Sequence, residues 1–214
     1  MKYLALALVL GTGCQDDIST PFPSGLEPLE DNPVPTQQGG NRTEMLQTMS
    51  SDGDEIKIYG RGYVLVDPQT VWTATKNPDA NVAVCSTNQQ QITPNNDSAY
   101  EFSFLVHYVV NNILTVEWDD QWRWGTIQDG TGSGSDAAFF GMIKHQKTQG
   151  SSFITLSEGT IQVTATDDPN VTELAFVEHL ESAGGGVDDV LKGVQHNYDS
   201  LVAVSHGNPI PACP

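Results

Sequence analysis

The strongest constraint on the fold is an amphipathic helix predicted near the end of the sequence. Between Val187 and His206, apolar residues recur every three or four positions: Val187, Val190, Leu191, Val194, Tyr198, Leu201 and Val202. Asp188 and Asp189 stand in the first turn, where the helix dipole favours acidic side chains. A helix with one apolar face must cover another apolar surface, so the rest of the chain has to supply a sheet.

Upstream of this helix, alternating apolar and polar residues predict that sheet. Residues 56–66 form the first strand, after which Asp67 and Pro68 supply the cap and first position of a short helix. A second short helical turn follows. A hairpin is expected over residues 100–125, and further strands at 137–147, 153–158, 160–166 and 172–181. This order predicts an α+β domain over residues 55–208, with two short helices after the first strand and the long helix packed on an antiparallel sheet.

The first residues have the three parts of an export signal: Lys2, an apolar run over residues 3–10, and small residues before Cys14. That run is too short to span a bilayer, which needs about 20 apolar residues. A small-residue stretch that ends at a cysteine resembles a bacterial lipoprotein signal. We expect residues 1–13 to be a signal peptide and Cys14 to carry lipid at the bacterial cell envelope, on the outer membrane or the periplasmic face. The alternative is an ordinary secretory signal with a coincidental cysteine.

The two ends of the predicted domain differ from its centre in composition. Residues 14–54 are rich in Pro, Gly and polar residues and have no apolar period. Such a stretch buries too little surface to offset its ordering entropy, so it is predicted to be a disordered tether. Residues 209–214 are predicted to be a tail, because Pro209 and Pro211 prevent the helix from continuing.

The charge of the chain restricts its partners. Its 27 acidic and 9 basic side chains give a formal net charge of -18. Nucleic acid needs a clustered basic surface, and an anionic membrane surface needs a polybasic segment. The sequence therefore predicts no nucleic-acid partner, and contact with the membrane only through the lipid anchor.

Two cysteines remain if Cys14 is acylated. Cys85 and Cys213 then form an even number in an oxidising compartment, which favours a disulfide between them. The alternative is a buried thiol at Cys85 and a free thiol in the tail, because sequence gives no distance between them.

Motifs for cofactor chemistry are absent from the sequence. It contains neither the glycine-rich loop of nucleotide-binding proteins nor the nucleophile elbow of hydrolases. His107, His145 and His179 lie on predicted strands, but without metal-ligand spacing. The sequence therefore predicts no cofactor and no metal.

The central hairpin holds most of the large aromatic side chains, which either fill a core or line a ligand pocket. These candidate ligand-binding residues are Phe102, Phe104, Tyr108, Trp118, Trp122 and Trp124. Arg123 lies between two of the tryptophans. It is expected either to stack or to pair with Glu117 or Asp119, or to recognise an anionic head group of the ligand.

The element order and one short motif resemble the START-related helix-grip superfamily, also called SRPBCC, which includes plant pathogenesis-related allergens and polyketide cyclase-like proteins. The motif is the strand-to-helix segment at residues 62–72, GYVLVDPQTVW, continued by Asn77, Pro78 and Asp79. The resemblance implies a curved antiparallel sheet that grips the long helix. It also implies a cavity between sheet and helix that holds an apolar or amphipathic ligand.

We therefore expect a membrane-anchored protein that binds an apolar or amphipathic small molecule or lipid, without catalysis. One alternative is a cyclase- or hydrolase-like enzyme whose acid–base pair comes from Glu117, Glu178 and His107. The other is a non-catalytic protein-interaction module, which would have a filled core and an exposed apolar patch. An open, partly polar pocket would distinguish ligand binding from the interaction module.

Overall fold

The computed structural model describes residues 16–37, 40, 42–81, 85, 87, 89–95, 97–111, 114–126 and 140–213. Within these residues the strands are β1 (Asp17–Ser19), β2 (Gln47–Ser51), β3 (Ile56–Val64), β4 (Gln89–Pro94), β5 (Phe102–Asn111), β6 (Thr115–Thr126), β7 (Phe140–Ser151), β8 (Ile154–Ala165) and β9 (Thr172–Ser182). The helices are α1 (Pro68–Thr75), α2 (Pro78–Asn81) and α3 (Val187–Ser205).

The described strands form an antiparallel sheet in the order β2-β3-β9-β8-β7-β6-β5-β4, and β1 pairs with the end of β7. Helix α3 packs on this sheet, and α1 and α2 pack on α3. The predicted fold class, α+β with a curved sheet gripping the C-terminal helix, is confirmed. The face of the sheet toward α3 is called the inner face, and the opposite one the outer face.

The C-terminal half of α3 is held directly against the sheet. The Tyr198 hydroxyl donates to the carbonyl oxygen of Tyr63 at 2.6 Å, and Leu201 is fully buried. The Tyr198 ring lies where a side chain at Gly62 would stand. Gly62 is therefore a point of close approach between strand and helix.

The start of α1 follows the sequence signals. The Asp67 carboxylate accepts a hydrogen bond from the backbone N–H of Thr70 at 3.0 Å, and Pro68 occupies the first helical position. The helix then buries Trp72, whose ring lies over the bare backbone of Gly141 on β7. These contacts join α1 to the inner face beside α3.

The two strands predicted at residues 153–158 and 160–166 are one continuous strand, β8. Gly159 stays in the ladder, paired with His145 on β7 and with Glu178 on β9. A glycine inside a strand often marks a close approach of other groups. Here its missing side chain leaves space on the inner face.

The predicted disordered tether over residues 14–54 needs correction for its described part. Residues 16–37, called the N-terminal strap, run across the outer face. The Asn32 amide donates to the carbonyl oxygens of Gly60 and Phe176 at 2.8 and 3.0 Å. Val34 in the strap is buried, and β2 extends the sheet beyond the boundary predicted at residue 55.

Polar contacts hold the strap, which is why composition did not reveal it. The backbone N–H of Gln37 donates to the Tyr63 hydroxyl at 2.7 Å, and Arg61 donates to the carbonyl oxygen of Val34 at 2.7 Å. A composition argument counts only apolar burial. It misses a segment whose hydrogen bonds are supplied by a preformed sheet.

The predicted lipid site and signal peptide, Cys14 and residues 1–13, lie outside the described residues. Among the described helices, none is both long and apolar enough to cross a bilayer. Cys85 and Cys213 are joined by a disulfide, with their Cα atoms 5.4 Å apart. This bond ties the segment after α2 to the chain beyond α3.

Candidate ligand-binding site

A cavity of about 500 Å³ lies between the N-terminal half of α3 and the inner face of the sheet. It reaches the surface beside Leu114, which is 55% exposed, and beside Gly184 and Gly185. Most of its wall is apolar and includes Val110, Val116, Trp118, Phe176, Leu180 and Val190. Such a wall suits the apolar part of a ligand.

Gly193 is the glycine of α3 on the wall of the cavity. It lines the cavity, and a Cβ atom added to it would meet no other atom within 4 Å. Five residues later, Tyr198 is in tight contact with the sheet. The helix is therefore gripped at its C-terminal half and spans open space at its N-terminal half.

One end of the cavity is polar, and a row of paired residues across the inner face builds it. Trp122, His145, Gly159 and Glu178 stand side by side on β6, β7, β8 and β9. A side chain at Gly159 would collide with the His145 imidazole and the Glu178 carboxylate. The glycine thus lets two residues that are two strands apart meet above it.

His145 is held on both sides by carboxylates. Its Nδ1 lies 3.1 Å from Asp120 Oδ2 and its Nε2 lies 3.0 Å from Glu178 Oε2, while the Trp122 ring stacks on the imidazole with centroids 4.1 Å apart. Burial alone would lower the pKa of His145, but the charges of Glu178 and Asp120 outweigh burial and raise that pKa well above its ordinary value. The ring is therefore an imidazolium that donates from both nitrogens.

Asp120 and Tyr108 complete the polar end. Asp120 is 3% exposed, and its Oδ1 has no hydrogen-bond partner among the described residues. Burial, with the charges of Asp120 and Glu178, raises the pKa of Tyr108 well above its usual value, so the phenol is neutral. Asp120, His145 and Glu178, called the inner cluster, carry two negative charges and one positive, a net charge of -1.

The structure divides the predicted aromatic residues into two groups. Tyr108, Trp118 and Trp122 line the cavity. Phe102, Phe104 and Trp124 do not line it; they pack against one another in the core, where Trp124 Nε1 donates to the Thr75 hydroxyl at 3.2 Å. The pocket hypothesis therefore holds for the first group of aromatic residues, and the core hypothesis holds for the second.

Arg123 lies on the outer face and does not line the cavity. Its guanidinium stacks on Phe22 of the N-terminal strap, 3.9 Å from the ring centroid, and on Tyr100 at 4.7 Å. It also donates to the carbonyl oxygens of Phe22 and Pro23 at 3.3 and 3.0 Å. These contacts correct the head-group hypothesis: Arg123 holds the strap.

The three residues suggested for an acid–base pair do not meet. Glu178 lines the cavity, whereas His107 and Glu117 are on the outer face. There, His107 Nδ1 lies 2.7 Å from Asp119 Oδ1, and its Nε2 lies 3.9 Å from Glu117 Oε2. The alternation of side chains along β5 and β6 separates them from the cavity.

Sequence reasoning does not select Asp120 or Gly159 for the site, and it considers His145 only as a possible metal ligand. The signal for Asp120 is present in the sequence, because alternation along β6 places it on the same face as Trp118 and Trp122. A carboxylate between two tryptophans on an apolar face is unusual enough to mark a site. No comparable local signal marks Gly159, whose role depends on its neighbours on β7 and β9.

Possible metal ligands cluster elsewhere. Among the described residues, Cys85, His196 and Cys213 have ligand atoms within 4.8 Å of one another. The two cysteine sulfurs are bonded to each other, so they do not offer thiolates. His107, His145 and His179 do not converge, since His145 is on the inner face and the other two are on the outer face.

Comparison with known proteins found similar solved structures only. No family model and no curated protein matches the chain. The chain is similar to the lipid transfer and protein localization domain of human StarD13, with a TM-score of 0.48 and 10% identity, covering 78% of this chain and 86% of that one. It is also similar to the STAR-related lipid transfer protein of Xanthomonas axonopodis, with a TM-score of 0.47 and 10% identity, covering 78% of this chain and 97% of that one. A third similar structure is the Zhui aromatase/cyclase of Streptomyces sp. R1128, with a TM-score of 0.45 and 10% identity, covering 71% of this chain and 94% of that one. The likeness concerns the fold.

Proposed function

We propose that this protein binds an apolar or amphipathic small molecule or lipid in the cavity between the sheet and α3, without catalysis. The observation that carries the proposal is the cavity itself. Its volume of about 500 Å³ falls within the range of small-molecule sites, roughly 300–1,000 Å³. Its largely apolar wall and the polar end at His145 match a ligand with an apolar body and a polar group.

The open space favours ligand binding over an interaction module. Protein interiors are normally close-packed, and an unfilled apolar space costs stability. Gly193 faces this space on α3, where any larger residue would have filled part of it. A chain that needs the helix only as a structural cover has no reason to leave this room.

The inner cluster favours binding over acid–base catalysis. A general base needs a free lone pair, but both His145 nitrogens face carboxylates and carry protons. His107 and Glu117 lie on the outer face, away from any molecule in the cavity. His145 therefore has no free lone pair with which to act as a general base, which supports a binding role for the cavity.

We place this binding domain at the cell envelope, anchored through an acylated Cys14. The export-type residues 1–14 support the proposal, and the disulfide between Cys85 and Cys213 is compatible with an oxidising compartment. Palmitate labelling of the full chain in a bacterial host tests it. We expect label on the unchanged chain and none on Cys14→Ser; an unlabelled wild-type chain would remove the anchor from the proposal.

Ligand binding is tested with Nile red, a neutral apolar dye, and a matched pair of helix variants. Gly193→Ala adds one methyl group to open space, whereas Gly193→Phe places a ring in the cavity. We expect dye affinity to be nearly unchanged in Gly193→Ala and at least about tenfold weaker in Gly193→Phe, which is about 1.4 kcal/mol of binding free energy. Circular dichroism of both variants controls for folding. Equal affinity in both folded variants, or no dye binding to the wild type, would refute the cavity as the site.

A further inference from the structure

We infer that the polar end of the cavity selects ligands whose head group donates a hydrogen bond. The Asp120 carboxylate accepts from such a head group, a hydroxyl or a protonated amine, and a carboxylate head group is rejected. The inference rests on the proposed function, because it names the ligand class of the same cavity. It assigns Asp120 as the specificity-determining residue.

The first argument is the unused oxygen of Asp120. Asp120 Oδ2 is engaged by the His145 imidazole at 3.1 Å, but Oδ1 is buried and has no hydrogen-bond partner among the described residues. Asp120 lines the cavity, so its carboxylate stands beside the space that a ligand would fill. A buried carboxylate oxygen without a donor is costly, and a ligand hydroxyl or ammonium group removes that cost.

The second argument is charge. The inner cluster has a net charge of -1, and the neighbouring Tyr108 is neutral. The cavity lining within the described residues contains no Lys and no Arg. The His145 imidazolium is no substitute, since both of its N–H groups already face carboxylates. An anionic head group would therefore be buried beside a negative cluster, and the described lining offers no Lys or Arg to pair with it.

The remaining polar atoms of the lining agree with this preference. Asn81 Oδ1 is a second buried acceptor on the cavity wall without a hydrogen bond among the described residues. The Trp122 indole N–H also lacks a hydrogen bond of ordinary geometry there, although it interacts with the Tyr108 hydroxyl. A ligand hydroxyl, which donates and accepts, can use Asp120 and Trp122 together.

Three probes with the same chain and different head groups test the inference: decylamine, decanol and decanoate, each below its micellar concentration. Quenching of tryptophan fluorescence reports binding, because Trp118 and Trp122 line the cavity. For the wild-type protein at neutral pH we expect decylamine to bind most tightly, decanol next, and decanoate at least about tenfold more weakly than decylamine.

Two substitutions on β6 assign the preference to a residue. Asp120→Asn removes the carboxylate from the inner face and should weaken decylamine binding at least about tenfold while changing decanol binding by less than about threefold. Asp119→Asn removes a neighbouring carboxylate from the outer face and should leave all three affinities unchanged. If Asp120→Asn does not fold, the order of the three probes on the wild-type protein still decides.

The outcomes separate this inference from the proposed function. If decanoate binds as tightly as decylamine, or if Asp119→Asn has the same effect as Asp120→Asn, the head-group inference is wrong and the cavity remains a binding site. If none of the three probes and no Nile red binds, the proposed function fails and the inference fails with it.

Discussion

Each face of the sheet carries a histidine surrounded by carboxylates, and the two sites differ in what completes them. On β9, Glu178 faces inward to His145, and the next residue, His179, faces outward. The inner cluster leaves Asp120 Oδ1 unpaired beside a cavity. Around His179, the chain itself supplies carboxylate partners for both ring nitrogens.

The cluster around His179, called the outer cluster, is completed by the N-terminal strap. His179 Nε2 lies 2.8 Å from the strap residue Glu30, and its Nδ1 lies 2.9 Å from Glu55 and 3.5 Å from Glu158. Tyr59 donates to the same Glu30 carboxylate at 2.6 Å. The same residue types therefore fasten a segment on one face and form an open polar pocket on the other.

The largest expected effect on stability comes from removing the His145 imidazolium from the inner cluster. His145→Gln leaves Asp120 and Glu178 buried without a positive charge between them. We expect a loss of about 3–5 kcal/mol of unfolding free energy, because breaking a buried ion pair strands the remaining charge. His179→Gln in the partly solvated outer cluster should cost about 1 kcal/mol. Urea denaturation of both variants measures the difference, and equal losses would mean that the two clusters are energetically alike.

The second expected effect on stability comes from filling the space above Gly159 on β8. Gly159→Ala forces a methyl group into the space shared by His145 and Glu178, and should destabilise the protein by about 1–3 kcal/mol. The matched control is Gly193→Ala, which meets open space and should stabilise α3 by about 0.5–1 kcal/mol. The midpoint of guanidinium unfolding checks both. A neutral Gly159→Ala would show that the inner cluster does not depend on that space.

Much of this arrangement was predictable from alternation and helical period alone. The stripe on α3 and the order of the elements fixed the fold class, and alternation along β6 separated Trp118 and Trp122 from Arg123. The same alternation argued against Arg123 and Glu117 as cavity residues. An arginine and a glutamate near tryptophans suggest ligand contacts by their chemistry, but alternation places both side chains on the outer face.

The rest depended on register between strands that are far apart in sequence. His145 is 25 residues from Asp120 and 33 from Glu178, and their meeting requires exact pairing across β6, β7, β8 and β9. The contact between Glu30 and His179 joins residues 149 positions apart. Local composition carries no information about such pairs, so the strap was predicted to be disordered.

The third expected effect is a pH window for the strap. The hydrogen bond from Tyr59 does most to lower the pKa of Glu30, from 4.5 to about 2, so its contribution to stability is complete above pH 4.5 and is lost as pH falls through 2. Burial lowers the pKa of His179, but hydrogen bonds to Glu158 and Glu30 outweigh it and raise that pKa above 6.5. The His179 contribution is therefore complete below pH 6.5 and is lost as pH rises through the raised value. The strap should be held best between pH 4.5 and 6.5.

Hydrogen exchange of residues 16–37, expressed as protection factors, measures this window. We expect protection in the wild-type protein to fall on both sides of it. In Glu30→Gln, protection at pH 6 should be about fivefold lower, as expected for a loss of about 1 kcal/mol. The acid-side fall should also disappear, because the titrating group has been removed. An unchanged acid-side fall in this variant would assign it to another carboxylate and leave Glu30 without the proposed role.

The smallest expected effect tests whether the two faces act independently. Arg123→Ala removes the stacking on Phe22 and Tyr100, and should cost about 0.5–1 kcal/mol and lower the exchange protection of the strap around Pro23. Nile red and decylamine affinities should stay within about twofold of wild type, because Arg123 does not line the cavity. Arg123→Lys keeps the charge but loses the planar stacking, so it should loosen the strap nearly as much. If either variant instead weakens decylamine binding about tenfold, ligand affinity in the cavity depends on the strap on the outer face. The two faces of the sheet would then be energetically coupled, although Arg123 does not line the cavity.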